Sequence, residues 1–244
     1  MSTKSLIIIP TYNESENVLD IIAAVLELDN RFHVLIVDDN SPDGTAALVS
    51  QAQQSEPRIH LLKRAGKLGL GTAYLEGFSY GLKNGFEYLF EMDADFSHNP
   101  KDLLRLHEAC EINHADLAIG SRYVSGGGLK DWTFDRILLS RMASLYVRAI
   151  TGMPIMDSTA GFKCYSATLL SKFDFNKITC KGYAFQIEMK YAAFLNGAKI
   201  VEVPIIFKDR EKGQSKMNGS IITEAIKAVI DMKRKSMRSY YKFS

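Results

Sequence analysis

Residues 88–100 read YLFEMDADFSHNP, and the join inside this stretch decides the fold class. Residues 88–92 have the character of a buried strand and run straight into Asp93-Ala94-Asp95. Pro100 then stands where a helix over 101–112 begins. Upstream, residues 5–9 form a continuous apolar run ending at Pro10, as in a strand covered on both faces. Val18, Ile21, Ile22, Val25 and Leu28 follow at helical spacing, with Asn13 or Ser15 as the expected cap. A strand at 34–37, a helix at 45–54, a strand at 59–62, a helix at 72–84 and a strand at 116–120 continue the alternation. Alternating strands and helices imply an α/β fold: a mostly parallel central sheet with right-handed crossovers, flanked by helices. The second half is less regular. It predicts helices at 133–150 and 183–195, extended segments at 161–165 and 199–207, and a basic amphipathic helix from 221 onward. Residues 1–217 are expected to form the catalytic unit and 218–244 a basic tail helix.

The chain has 244 residues, and its 46% hydrophobic and 24% charged content suits a folded core rather than disorder. A net charge of +2 gives no general attraction to nucleic acid, so no nucleic-acid partner is expected. Cys110, Cys164 and Cys180 form no CxxC pair and have no histidine at zinc-site spacing, which fits reduced thiols in a cytoplasmic protein. No signal-peptide core and no run of about 18 apolar residues is present, so no spanning helix is predicted.

Polar clusters recur at the predicted strand exits, where open α/β sheets bind ligands. Asp93 and Asp95, on alternate positions, would face one side and could hold a divalent cation bridging diphosphate oxygens. In Asp38-Asp39-Asn40-Ser41-Pro42-Asp43-Gly44-Thr45 a turn with a helix cap accounts for 42–45. Asp38 and Asp39 remain as acceptors for a base edge or ribose hydroxyls. In Pro10-Thr11-Tyr12-Asn13-Glu14, Tyr12 offers a face to a nucleobase and Glu14 an acceptor. The glycines of 66–71 lack the spacing of a dinucleotide or triphosphate loop, which disfavours a dehydrogenase; their amides and Lys67 could still approach phosphate. Arg122, Arg136, Arg210, Lys212 and Lys216 supply cations suited to phosphate.

The succession PTYNE, VDDNSPDGT, GLGTAY, MDADFSHNP, GSRY, DSTAGFKCY, GYAFQIE and DREKGQSK resembles the polyprenol- and dolichol-phosphate mannosyltransferases of glycosyltransferase family 2. The resemblance runs from Pro10 to Lys216. Its most specific parts are MDADFSHNP and the R-x-x-G-x-S-K spacing of Arg210, Gly213, Ser215 and Lys216. It implies a GT-A fold and an inverting transfer of mannose from GDP-mannose to a polyprenyl phosphate. By the same resemblance Pro10, Tyr12, Glu14, Val37 and Asp39 hold the nucleoside. Asp93, Ala94 and Asp95 hold the donor diphosphate and Mg²⁺ or Mn²⁺. Arg122 and Arg136 grip the acceptor phosphate, and Arg210 and Lys216 close over the diphosphate. Some relatives place a Gln ligand two positions after the second Asp, where this chain has Ser97.

An acceptor phosphate already ionised near neutral pH needs no general base, consistent with the lack of an evident catalytic histidine in the sequence. Asp157 is expected to line the sugar pocket or cap a helix. The lipid acceptor implies peripheral association with the cytoplasmic face of a membrane, through the tail helix or small membrane subunits. Ile222, Ile226, Val229 and Ile230, beside Lys227, Lys233, Arg234, Lys235 and Arg238, suit an interfacial helix, and equally one packed on the core. Alternatives on the same fold use UDP-glucose or UDP-N-acetylhexosamine. A nucleotidyltransferase is disfavoured because the chain does not open with a glycine-rich loop. A sugar-nucleotide-binding protein without turnover is the non-enzymatic alternative.

Overall fold

A computed structural model describes residues 3–209, 219–237 and 240–241, with the backbone alone for 219–224. Strands β1 (Ser5–Thr11), β2 (Phe32–Asp38), β3 (Ile59–Lys63), β4 (Tyr88–Glu91), β5 (Leu117–Ser121), β7 (Lys163–Ser166) and β8 (Ile200–Pro204) form one sheet in the order β3-β2-β1-β4-β7-β5-β8. All neighbours are parallel except β7, which runs antiparallel between β4 and β5. Two short strands, β6 (Gly128–Lys130) and β9 (Ile206–Lys208), pair separately.

Strand side chains alternate faces, and the core divides accordingly. Leu6, Ile8, Leu35, Val37 and Leu89 pack on one side with Tyr74 and Phe78 of α3 (Leu70–Lys83) and Phe185 and Tyr191 of α7 (Tyr183–Leu195). Ile7, Ile9, Val34, Ile36 and Phe90 face the other side, against α1 (Val18–Leu26) and α4 (Asp102–Glu111). Both strand faces are therefore buried, as continuous apolar runs require. Helix α3 approaches the sheet so closely that a Cβ at Gly77 would stand 2.5 Å from Ile8 Cγ2. Helix α2 (Thr45–Ala52) covers β3, and α6 (Ala167–Leu170) is a single turn after β7.

The fold corrects one expectation, the cap of α1. Neither Asn13 nor Ser15 caps α1: the helix starts after Asn17, and Asn13 adopts φ 60°. The Asp43 carboxylate instead takes the Ser15 N–H (3.0 Å) as well as the Thr45 N–H at the start of α2 (3.0 Å). The tail helix α8 (Gly219–Met237) packs on α7 and on α5 (Phe134–Thr151), burying Val229 and Met232 while Ile226 and Ile230 stay exposed. Beyond it, Tyr241 is sealed and donates to Glu188 Oε1 at 2.6 Å. Among the described residues no helix is long and apolar enough to cross a membrane.

Candidate active site

The strand order sets β1 between β2 and β4, so PTYNE, VDDNSPDGT and MDADFSHNP emerge along one sheet edge. A cavity of about 450 Å³ opens there, lined by Asp93, Asp95 and Ser97, by Arg122 and Arg136, and by apolar side chains of α5 and α8. Asp93 and Asp95 thus line one cavity, although β4 ends at Glu91 and the chain already bends at 94–95. The backbone turns sharply after them: Phe96 has φ 57°, a left-handed conformation that costs a bulky residue roughly 1–3 kcal/mol. That turn brings the Ser97 N–H to Asp95 Oδ1 at 3.1 Å.

Two carboxylates and the Ser97 hydroxyl are hard oxygen donors that fit Mg²⁺ or Mn²⁺ when diphosphate oxygens and water complete the shell. Among the described residues no group of three or more His, Cys, Asp or Glu gathers to hold a metal alone. Ala94 is buried and offers only its backbone.

Arg122 follows β5 and is almost sealed. Its Nε and Nη2 donate to Asp157 Oδ2 (2.7 Å) and Oδ1 (2.6 Å), its backbone N–H to Asp157 Oδ2 (3.0 Å), and Nη2 also to Thr159 (2.8 Å). Asp157 therefore neither caps a helix nor reads a sugar; it holds Arg122 in a fork, leaving Nη1 unused by these bonds. Burial opposes ionisation of Asp157, yet the bonds and charge of Arg122 hold its carboxyl below the usual range. Arg136 lies over the Trp132 ring at 3.8 Å and pairs with Asp209 at 2.8 Å. Arg210, Lys212 and Lys216 fall outside the described residues.

On the nucleoside side, Asp38 is a loop organiser, accepting from Thr11 (2.9 Å) and from the Ser41 hydroxyl (2.6 Å) and amide (2.9 Å). Its expected availability to a nucleoside is corrected by those bonds. Asp39 pairs at 2.6 Å with buried Arg64, a partner that sequence reasoning missed; burial nonetheless raises its pKa. Val37 is sealed in the core, side chain and backbone alike, between its ladder partners Pro10 and Leu62. Tyr12 and Glu14 are half-buried beyond β1, with Lys67 Nζ 4.4 Å from the Tyr12 ring centroid. Of the glycines in 66–71, Gly71 answers to packing, since a Cβ there would meet Cys180 O at 2.7 Å, and Gly69 to its φ of 105°, whereas a Cβ at Gly66 would meet nothing within 4 Å.

His98 was also missed. It lines the cavity, stacks on Phe162 at 4.8 Å, and leaves its Nδ1 buried without a partner among the described residues. Burial pushes its pKa down to about 4, despite nearby Asp95. Only its place three residues after Asp95 signalled it.

The model for glycosyl transferase family 2 matches residues 6–179. The chain belongs to glycosyltransferase family 2. This glycosyltransferase is 48% identical over 224 residues to the polyprenol monophosphomannose synthase of Mycolicibacterium smegmatis, covering 91% of its own chain and 84% of that relative. It is 45% identical over 221 residues to the undecaprenyl-phosphate mannosyltransferase of Micrococcus luteus, covering 91% and 90%. Among solved structures, glucosyl-3-phosphoglycerate synthase from Mycobacterium tuberculosis, in complex with Mn²⁺, UDP-glucose and phosphoglyceric acid, matches with a TM-score of 0.71. That match covers 96% of this chain and 80% of the other at 14% identity, a likeness of fold. The α/β, GT-A expectation holds.

Proposed function

We propose that the glycosyltransferase moves a mannosyl group from GDP-mannose to the phosphate of a polyprenyl (dolichyl-type) lipid, with inversion at the anomeric carbon. The observation that carries this reading is a single cavity lined at once by the Asp93/Asp95 pair, two guanidinium groups, and apolar side chains of α5 and α8. A nucleotide diphosphate, a phosphate monoester and a lipid tail each find matching chemistry there. The two relatives at 48% and 45% identity, named for lipid-phosphate mannose synthesis, support the same choice.

Asp93, Asp95 and Ser97 would hold the cation, Mg²⁺ or Mn²⁺, which when bound supplies Lewis-acid stabilisation of charge on the departing diphosphate. Arg122, fixed by Asp157, offers Nη1 to the acceptor phosphate, and Arg136 adds a second cation to orient the attacking oxygen. Arg210 and Lys216 would close over the diphosphate, and Pro10, Tyr12, Glu14 and Asp39 would hold the nucleoside. Residues 1–217 form the catalytic unit in this reading.

The membrane contact extends beyond the tail helix. Phe134, Leu138, Leu139, Met142 and Leu145 follow helical spacing along α5 and are 79%, 50%, 45%, 55% and 57% exposed. Arg141 and Arg148 flank them, and Ile226 and Ile230 of α8 add to the apolar exposure, with Lys227, Lys233 and Arg234 on the same helix. An apolar face fringed by cations suits an anionic lipid surface on the cytoplasmic side. A small membrane subunit would compete for it.

The test supplies purified protein with polyprenyl phosphate, Mg²⁺ or Mn²⁺, and labelled GDP-mannose, UDP-glucose or UDP-N-acetylhexosamine in turn. Mannose transfer is expected. Exclusive use of a UDP-sugar refutes the donor, and donor binding without turnover on any acceptor refutes catalysis.

A further inference from the structure

Helix α7 presents to the cavity a polar group that the chemistry above leaves unused. Lys163 on β7 is wholly buried; its Nζ lies 3.0 Å from Glu91 Oε1 and donates to Gln186 Oε1. Glu91 Oε1 also accepts from Tyr165 at 3.0 Å, so the lysine is anchored from behind. An ammonium has donors only, so the amide atom turned toward it is the carbonyl oxygen, and the Gln186 NH₂ must face the other way. Flipping the amide would set donor against donor where no water can intervene.

The other way leads into the cavity. Gln186 lines it, and so does Gly161, where a Cβ would stand 3.5 Å from Gln186 Nε2. The missing side chain at 161 leaves that nitrogen uncovered. Among the described residues no acceptor takes its hydrogens, and it is not one of the sealed, unpartnered atoms.

We propose that Gln186 is a specificity-determining residue whose amide donates to a hydroxyl oxygen of the transferred sugar, and that Lys163 is the positioning residue that fixes the amide's direction. This rests on the donor reading above. An uncharged donor suits a neutral hydroxyl, whereas the anionic parts of both substrates have carboxylate-held metal or guanidinium groups to meet them. The Lys163 charge is directed back toward Glu91. A site built around a hydroxyl discriminates strongly against a sugar lacking it.

The experiment compares nucleotide sugars lacking one hydroxyl at a time, by donor binding and by kcat/KM. Donor choice is established first on the native enzyme, so a failed mannose reading shows there, and the deoxy series is then made on whichever nucleotide sugar binds. The native enzyme should lose about tenfold or more at one position. Gln186→Leu should erase that penalty at the one position and keep the others. Gln186→Glu retains the shape and the Lys163 contact but lacks the N–H, so it should give the same loss even if the Leu variant fails to fold. Lys163→Met should blunt the same penalty, and Gly161→Ala should raise the donor KM with an unchanged melting temperature. A uniform loss across the series in the folded Glu variant, or an unchanged pattern, overturns the proposal. A change confined to the acceptor KM also overturns it.

Discussion

Replacing Asp157 by Asn tests how the acceptor side of the site is held. Asp157 is completely buried and accepts from Arg122 N, Nε and Nη2 at 3.0, 2.7 and 2.6 Å. Asn keeps one acceptor oxygen for three donors and turns an NH₂ toward a guanidinium. Removing one partner of a buried pair costs about 3–5 kcal/mol, because the other charge stays desolvated. For a domain of this size that lowers Tm by roughly 6–20 °C. The pH dependence carries a sign. A carboxylate with a depressed folded pKa contributes stability above its unfolded pKa of about 4, and the contribution is lost as pH falls through the folded value. The gap between native and Asp157→Asn should therefore be full at neutral pH and shrink below about pH 4. Denaturant melts across pH, with the acceptor KM measured at neutral pH, provide the assay. A variant within about 0.5 kcal/mol of native, with unchanged acceptor KM, would refute the reasoning.

Other substitutions separate the remaining parts. Arg136→Ala should raise the acceptor KM by roughly tenfold while leaving the donor KM in place, since the side chain is partly exposed and its phosphate bond falls at the weaker end of charge-assisted bonds; steady-state kinetics on both substrates decides this. Gly71→Ala should cost about 1–3 kcal/mol in a denaturant melt, because the added methyl meets the Cys180 carbonyl at 2.7 Å. Leu138→Glu with Met142→Glu should cut sedimentation with anionic vesicles severalfold, since charge replaces the exposed apolar face of α5.

The alternation of apolar runs and polar loops made the parallel half of the sheet legible, because each strand–loop–helix unit is local. The same locality placed Asp93 and Asp95 at a strand exit. What the pattern could not carry was pairing at a distance. Nothing near residues 161–165 says that β7 inserts antiparallel between β4 and β5, since both partners lie over 40 residues earlier in the chain. Arg64 opposite Asp39 and Asp157 opposite Arg122 are separated by 25 and 35 residues, so each acid read alone looked free for a ligand. Val37 illustrates a related limit of local pattern: in a strand buried on both faces, the side chains point into the core rather than toward the sheet edge.

The central claim is that the Asp93/Asp95 pair makes this chain a metal-assisted transferase acting on a lipid phosphate. The most direct measurement is the rate of labelled mannose transfer from GDP-mannose to polyprenyl phosphate, for native protein and Asp95→Ala, with Mg²⁺ or Mn²⁺ and after chelation. The account predicts native transfer that chelation stops and either ion restores, and no measurable transfer by folded Asp95→Ala. Equal rates in the two proteins, or native turnover indifferent to the chelator, would contradict it.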